Sequence, residues 1–152
     1  MRDHFLKLFS YNDWANRRMC EAVQRSGIPD TRALAILNHI VQVQRLWLDR
    51  IQGINAGNHL WDPAPIAEIL ELSEISSREW SQFLAIAPSD SWARRVSYVN
   101  SRGVAFVNSL EEVVTQVINH STHHRAQVGL MIRQAGHQPP VLDFISFARN
   151  ED

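Results

Sequence analysis

The sequence predicts an all-α protein, a four-helix bundle with a short β-hairpin insert before the last long helix. Four long segments carry apolar residues at helical spacing, and two short β-prone runs flank a turn signal ahead of the fourth. The 152-residue chain contains no repeat, low-complexity tract or linker, so one domain spanning 1–152 is expected, long enough to bury a core.

The first helix is expected from about Asp3 to Arg25, with Phe5, Leu8, Phe9, Trp14, Met19 and Val23 as its apolar stripe. Ser26-Gly27-Ile28-Pro29 ends it, glycine preceding proline as helix stops require. Asp30 or Thr31 caps the second helix, which runs to about Ile54 and buries Leu34, Leu37, Val41, Leu48 and Ile51, with His39, Val43, Trp47 and Arg50 beside them. Gly53, Gly57, Pro63 and Pro65 then break the pattern into a loop. A third helix follows from about Ile66 to Ala87, carrying Ile69, Leu72, Ile75, Trp80, Phe83 and Leu84, and Pro88-Ser89-Asp90 stops it. Val96–Val99 and Val104–Val107 read as two strands around Asn100-Ser101-Arg102-Gly103. Ser109 with Glu112 three residues on forms a capping box that opens the fourth helix, which ends at Ala135 before Gly136. The run Val141–Phe147 in the tail is apolar enough to pack on the bundle. Burial of Trp14, Trp47 and Trp80 would contribute several kcal/mol at ~25 cal/mol per Å2 without any metal, so the apoprotein is expected to fold.

Composition narrows the function classes. The net charge of −1 gives no electrostatic argument for nucleic acid or a membrane surface. No apolar run approaches the ~18 residues of a membrane span, and the mixed N-terminus Met1–Lys7 does not read as a secretory signal. The one cysteine, Cys20, cannot form an intrachain disulfide, which suits the cytoplasm. Lys7 is the only lysine among 15 basic residues, a bias that carries no functional reading.

Chemistry concentrates in His120-Ser121-Thr122-His123-His124. His120 and His124, four apart on a helix, share one face with Cβ atoms about 5–6 Å apart, close enough to clamp one divalent ion. Gln116 and Gln127 extend the same polar stripe along an otherwise apolar helix. His39, in the middle of the second helix, is the best third ligand. Three imidazoles would leave coordination positions open, as a catalytic rather than a structural site requires. His123, rotated about 100° from His124, either replaces it as ligand, serves as an acid/base group beside the metal, or faces solvent.

The HExxH glutamate of metalloproteases is missing between the two histidines, and no Glu-x-x-His pair marks a di-iron centre, so a mononuclear ion is expected. Asp13, Asp49 and Glu112 are the carboxylates that a fold could bring near. His4, His59 and His137 read as surface residues, Arg125 as a surface arginine by default, and Cys20 as a small core residue.

Three stretches carry a family resemblance: Tyr11-Asn12-Asp13-Trp14-Ala15-Asn16, Asn119-His120-Ser121-Thr122-His123-His124-Arg125-Ala126-Gln127, and Asp143-Phe144-Ile145-Ser146-Phe147, with His39 in the place of the second-helix ligand. On these the chain resembles, over nearly its whole length, the DinB-like (YfiT-like) family of bacterial four-helix-bundle metalloproteins. Ala126 stands where that family often has glycine. The resemblance implies His39, His120 and His124 as ligands of zinc or nickel, and a homodimer. It also implies a small-molecule substrate, in some relatives handled by low-molecular-weight thiol transfer or a thiol-dependent isomerisation. A shared fold does not fix the reaction. The expected activity is therefore that of a metal-dependent hydrolase or thiol S-transferase, with His123 as proton shuttle. The competing expectations are a non-catalytic metal-dependent sensor or small-molecule binder, and a bundle whose histidines satisfy one another.

Overall fold

The computed structural model of the chain describes residues 1–27, 31–54 and 59–149. Four long helices form the bundle: α1 (Arg2–Ser26), α2 (Thr31–Gln52), α3 (Ile66–Ile86) and α4 (Leu110–Gln134). A short 3-10 turn (Ser91–Ala93) leads into an antiparallel hairpin of β1 (Arg95–Val99) and β2 (Ala105–Ser109), and a short α5 (Phe144–Ala148) closes the described chain. Each of α1 and α2 packs on both α3 and α4, while α1 and α2 touch only slightly. That arrangement sets α2 beside α4.

Helix ends follow local chemistry. Gly27 takes the left-handed conformation (φ 58°) and its N–H donates to Gln24 O, closing α1. Gly53 (φ 75°) ends α2 at Gln52, two residues earlier than the expected Ile54. Ser109 is both the last residue of β2 and the N-cap of α4. Its Oγ accepts from Glu112 N at 3.2 Å while the Glu112 carboxylate accepts from Ser109 N at 2.8 Å, so the expected capping box is present. The hairpin pairs Arg95 with Ser109 and Tyr98 with Phe106, so Val104 belongs to the turn rather than to the second strand. Ile28, Pro29, Asp30 and Gly57, read from the sequence as breakers or cap, lie outside the described residues.

The interior divides into two apolar halves. One gathers Phe5, Phe9, Leu48, Trp80, Leu84, Trp92 and Val114; the other gathers Met19, Val23, Leu37, Ile40, Ile69, Val128 and Ile132. Between them, at mid-height, every long helix contributes buried polar groups: Asn12 and Asn16 from α1, Asn38, His39 and Gln44 from α2, Ser73 and Ser76 from α3, and Ser121, His124 and Arg125 from α4. No helix among the described residues is long and apolar enough to cross a membrane.

Two expectations need correction, and a third, the packing of the tail, holds. Trp80 is fully buried, but Trp14 and Trp47 are only partly covered. Each lies at a bundle edge, Trp14 under Arg18 and beside Phe147, Trp47 under Arg50 and edge-on to Tyr98. The tail does pack on α1, through Tyr11 Oη donating to Leu142 O at 2.8 Å and through Phe144 and Phe147, yet Val141 and Ile145 stay exposed. Arg125 is not a surface residue: it is 2% exposed, and its guanidinium donates to the amide oxygens of Asn12 and Asn16 and to Thr122 Oγ1. Burial lowers its pKa and Tyr11, over whose ring the guanidinium lies, opposes that shift, while the three acceptors satisfy its donors.

Trp80 joins the two levels of the structure. It stacks on Phe9 (centroids 4.6 Å apart), and its indole N–H donates to Gln44 O at 3.0 Å, on the edge of the polar layer. Trp80→Ala should therefore lower stability by about 3–5 kcal/mol in urea denaturation. Trp80→Phe should recover most of the packing but not the bond to Gln44.

Candidate metal centre

His39 comes from the face of α2 that meets α4, and His120 and His124 from the facing turns of α4. Helical spacing aligns the second pair, and the packing of α2 on α4 supplies the first residue. His39 is 5% and His124 9% exposed, and His120 is half-buried. One ring nitrogen from each of the three can be chosen so that all lie within 4.8 Å of one another. His39 Nε2 and His120 Nε2 are 3.2 Å apart.

The outer ring nitrogens show which atoms face inward. His39 Nδ1 lies 2.9 Å from Leu60 O; a carbonyl only accepts, so Nδ1 carries the proton and Nε2 presents a bare lone pair. His124 Nδ1 lies 2.8 Å from Gln127 Oε1, which fixes the same tautomer. The Gln127 amide is in turn oriented by donating from Nε2 to His123 Nε2 at 3.3 Å. Supporting partners of this kind orient imidazole ligands and raise their basicity. Burial pushes the pKa of both His39 and His120 down to about 4, with the neighbouring histidines adding repulsion, so both are neutral near pH 7. Converging neutral nitrogen lone pairs are the donor set that zinc, nickel and similar ions take. The three-histidine group can hold a metal ion.

The other sequence candidates are placed as follows. His123 is exposed and lies beside the cluster, its ring centroid 5.0 Å from that of His124 and its Nε2 engaged by Gln127. Gln116 and Gln127 are exposed, so the polar stripe faces inward only at His120 and His124. Among the described residues no carboxylate joins the group: Glu112 is held in the helix cap and Asp13 pairs with Arg17 at 3.4 Å. Cys20 is buried among apolar residues, which pushes its thiol pKa up to about 12 and leaves it no nucleophile. His4, His59 and His137 are exposed, and His59 pairs with Asp62.

Sequence reasoning missed Trp61. Its indole lies parallel to the His39 ring (centroids 3.5 Å, planes 10° apart) and edge-on to His124 at 5.7 Å. A lone tryptophan between loop-forming residues has no periodicity to reveal its target. The role of Leu60 was equally invisible, because it acts through its backbone carbonyl.

Comparison with known proteins gives a consistent picture. The model of the DinB family matches residues 1–152. Protein DinB of Bacillus subtilis (strain 168) is 22% identical over 162 residues, covering 95% of this chain and 93% of that protein. No solved structure matches the chain.

The depressed histidine values have a thermodynamic consequence for the metal-free protein. In the unfolded chain these groups titrate near 6.5, in the folded chain near 4. Between those values the unfolded state binds more protons, so stability falls as pH is lowered through that window and levels off below it. Thermal melts of the apoprotein should show this loss, and a His39→Asn/His120→Asn double variant should show a shallower pH dependence over the same range.

Proposed function

The chain belongs to the DinB family, and from that premise we propose that it is a mononuclear metal-dependent enzyme whose ion is held by Nε2 of His39, His120 and His124. The observation that carries this reading is the convergence of three ring nitrogens within 4.8 Å, two of them with the opposite nitrogen already engaged. Zinc or nickel suits the donor set. When bound, the ion supplies Lewis acidity, which brings the pKa of a coordinated nucleophile toward neutrality.

The chain's own residues do the rest. Leu60 O and Gln127 Oε1 hold the rings of His39 and His124 in the productive tautomer. His123, exposed at the border of the cluster, would take up a proton at Nε2, the nitrogen that otherwise accepts from Gln127, and pass it to solvent. The reaction is hydrolysis of a small-molecule substrate or transfer of a low-molecular-weight thiol to an electrophile. Homodimerisation and a cytoplasmic location are part of the same reading. A second reading, a non-catalytic metal-dependent sensor or binder, is favoured by one observation: His39 and His124 are both nearly enclosed, His39 beneath Trp61.

Metal analysis by mass spectrometry on protein purified without an affinity tag tests the site. About one zinc or nickel per chain is expected, and none in His120→Ala or His124→Ala. His124→Ala should also lose turnover in a thiol-transfer and hydrolysis screen while its circular dichroism stays helical. Loss of helicity would make the metal structural, and metal without turnover would favour the sensor. Wild-type protein that takes up no metal on titration would sink both readings.

The relay through Gln127 makes a separate prediction. Gln127→Ala removes the acceptor for His124 Nδ1 without touching a ligand, and should weaken metal affinity about 10–100-fold by titration calorimetry.

A further inference from the structure

Trp61 is 56% exposed, yet it is held in place from both sides. The carbonyl before it, Leu60 O, accepts from His39 Nδ1 at 2.9 Å, and the carbonyl of the residue after it, Asp62 O, accepts from Asn38 Nδ2 at 2.7 Å. Two consecutive side chains of α2 thus grip the backbone on either side of one loop residue. Gln42 Nε2 donates to Asn38 Oδ1 at 3.4 Å, which orients the second grip. The result lays the indole flat on His39, with its edge toward His124. A large aromatic left half in water while its backbone is pinned is not explained by core formation, because much of its apolar surface gains nothing from burial. Its covered face lies on the His39 ring, and His39 is 5% exposed.

We propose that Trp61 is a fixed wall of the metal site that determines access: it closes the His39 flank, so that solvent, ions and substrate reach the cluster only from the side away from the indole. The proposal rests on the metal-binding reading above and adds to it a residue that is not a ligand. The wall needs no hinge, since both grips come from α2 itself and move with His39. A wall and a mere orienting contact differ in kinetics. Removing a wall opens the path in both directions, so uptake and release of an ion accelerate together and the affinity changes little. Removing a contact that only orients His39 loosens the ligand, so release alone accelerates and affinity falls.

The test uses Co2+ as probe on the full-length protein, with visible absorption to follow uptake and displacement by excess EDTA in stopped flow. Wild type, Trp61→Phe and Trp61→Ala are compared, circular dichroism serving to verify that each is folded. For Trp61→Ala both uptake and release should rise about tenfold, because the apolar shell around a metal site governs solvent access, with affinity held within about threefold. Trp61→Phe, which keeps a smaller ring on His39, should fall between. Faster release with unchanged uptake, and a matching loss of affinity, would overturn the proposal in favour of an orienting role. Unchanged rates in both directions would overturn it outright. Failure of the wild type to bind Co2+, zinc or nickel would instead remove the metal reading, and the wall with it.

Discussion

The structure depends on a layer of buried polar groups that crosses the bundle at mid-height. Each long helix contributes to it, and the two apolar halves of the core lie above and below. A buried polar group without a partner costs about 1–3 kcal/mol, against a net stability of roughly 5–15 kcal/mol for a protein of this kind. Leaving a handful of these groups unpaired would consume the whole margin. The layer is tolerable because its members largely satisfy one another across helices; among the described residues Asn16 Nδ2 is the one buried side-chain atom left without a partner. Ser76 Oγ donates to Gln44 Oε1, Gln44 Nε2 to Ser121 Oγ, and Ser121 Oγ to Val117 O, linking α3, α2 and α4 in a buried chain. Arg125 does the same between α4 and α1 through Asn12 and Asn16.

Such a layer fixes the axial register of the helices. Apolar packing alone tolerates substitution and some sliding, whereas a hydrogen bond lost by a sliding helix leaves a buried donor or acceptor exposed to the full desolvation cost. In this bundle the register matters for chemistry. His39 can meet His120 and His124 only if α2 and α4 stay aligned, and the Gln44–Ser121 bond, five residues beyond His39 on α2 and next to His120 on α4, resists their sliding. The metal cluster is therefore one segment of the polar layer, the segment built of imidazoles. With His39 protonated at Nδ1, His120 Nε2 donates to His39 Nε2 at 3.2 Å in the metal-free protein, and a cation can take the place of that proton.

What the sequence disclosed about this arrangement follows from where its information lies. Periodicity marked all four long helices, the Ser109–Glu112 box marked the start of the fourth, and the Asn100–Gly103 turn marked the hairpin, because these are local signals. His120 and His124 were legible for the same reason: four-residue spacing on a helix is a contact by geometry. His39 was legible as a buried-helix histidine. Arg125 was misjudged, since its acceptors Asn12 and Asn16 lie more than a hundred residues away and an isolated arginine defaults to solvent. Trp14 and Trp47 were assigned to the core on hydrophobicity, but each covers a bundle edge beneath an arginine instead. Trp61 and the carbonyl of Leu60 gave no signal, because their parts depend on a loop path and on backbone atoms that every residue possesses.

The neighbouring positions His124 and Arg125 show how one helical turn serves two ends. Successive residues on a helix are 100° apart, so the first faces α2 and the histidine cluster while the second faces α1 and its two asparagines. Arg125 does not touch the cluster, but it anchors the turn that carries His124, and Thr122, another of its acceptors, belongs to the same turn. A guanidinium is well suited to this task. Its planar fork of donors accepts several partners at fixed angles, so it resists rotation of α4 about its own axis as well as sliding along it. Rotation is the motion the histidines can least withstand. Turning α4 by even part of the 100° step would move His124 away from His39 and bring His123 toward its place. On this argument the asparagine–arginine contact does not add a functional group to the site; it selects which of two adjacent histidines belongs to it.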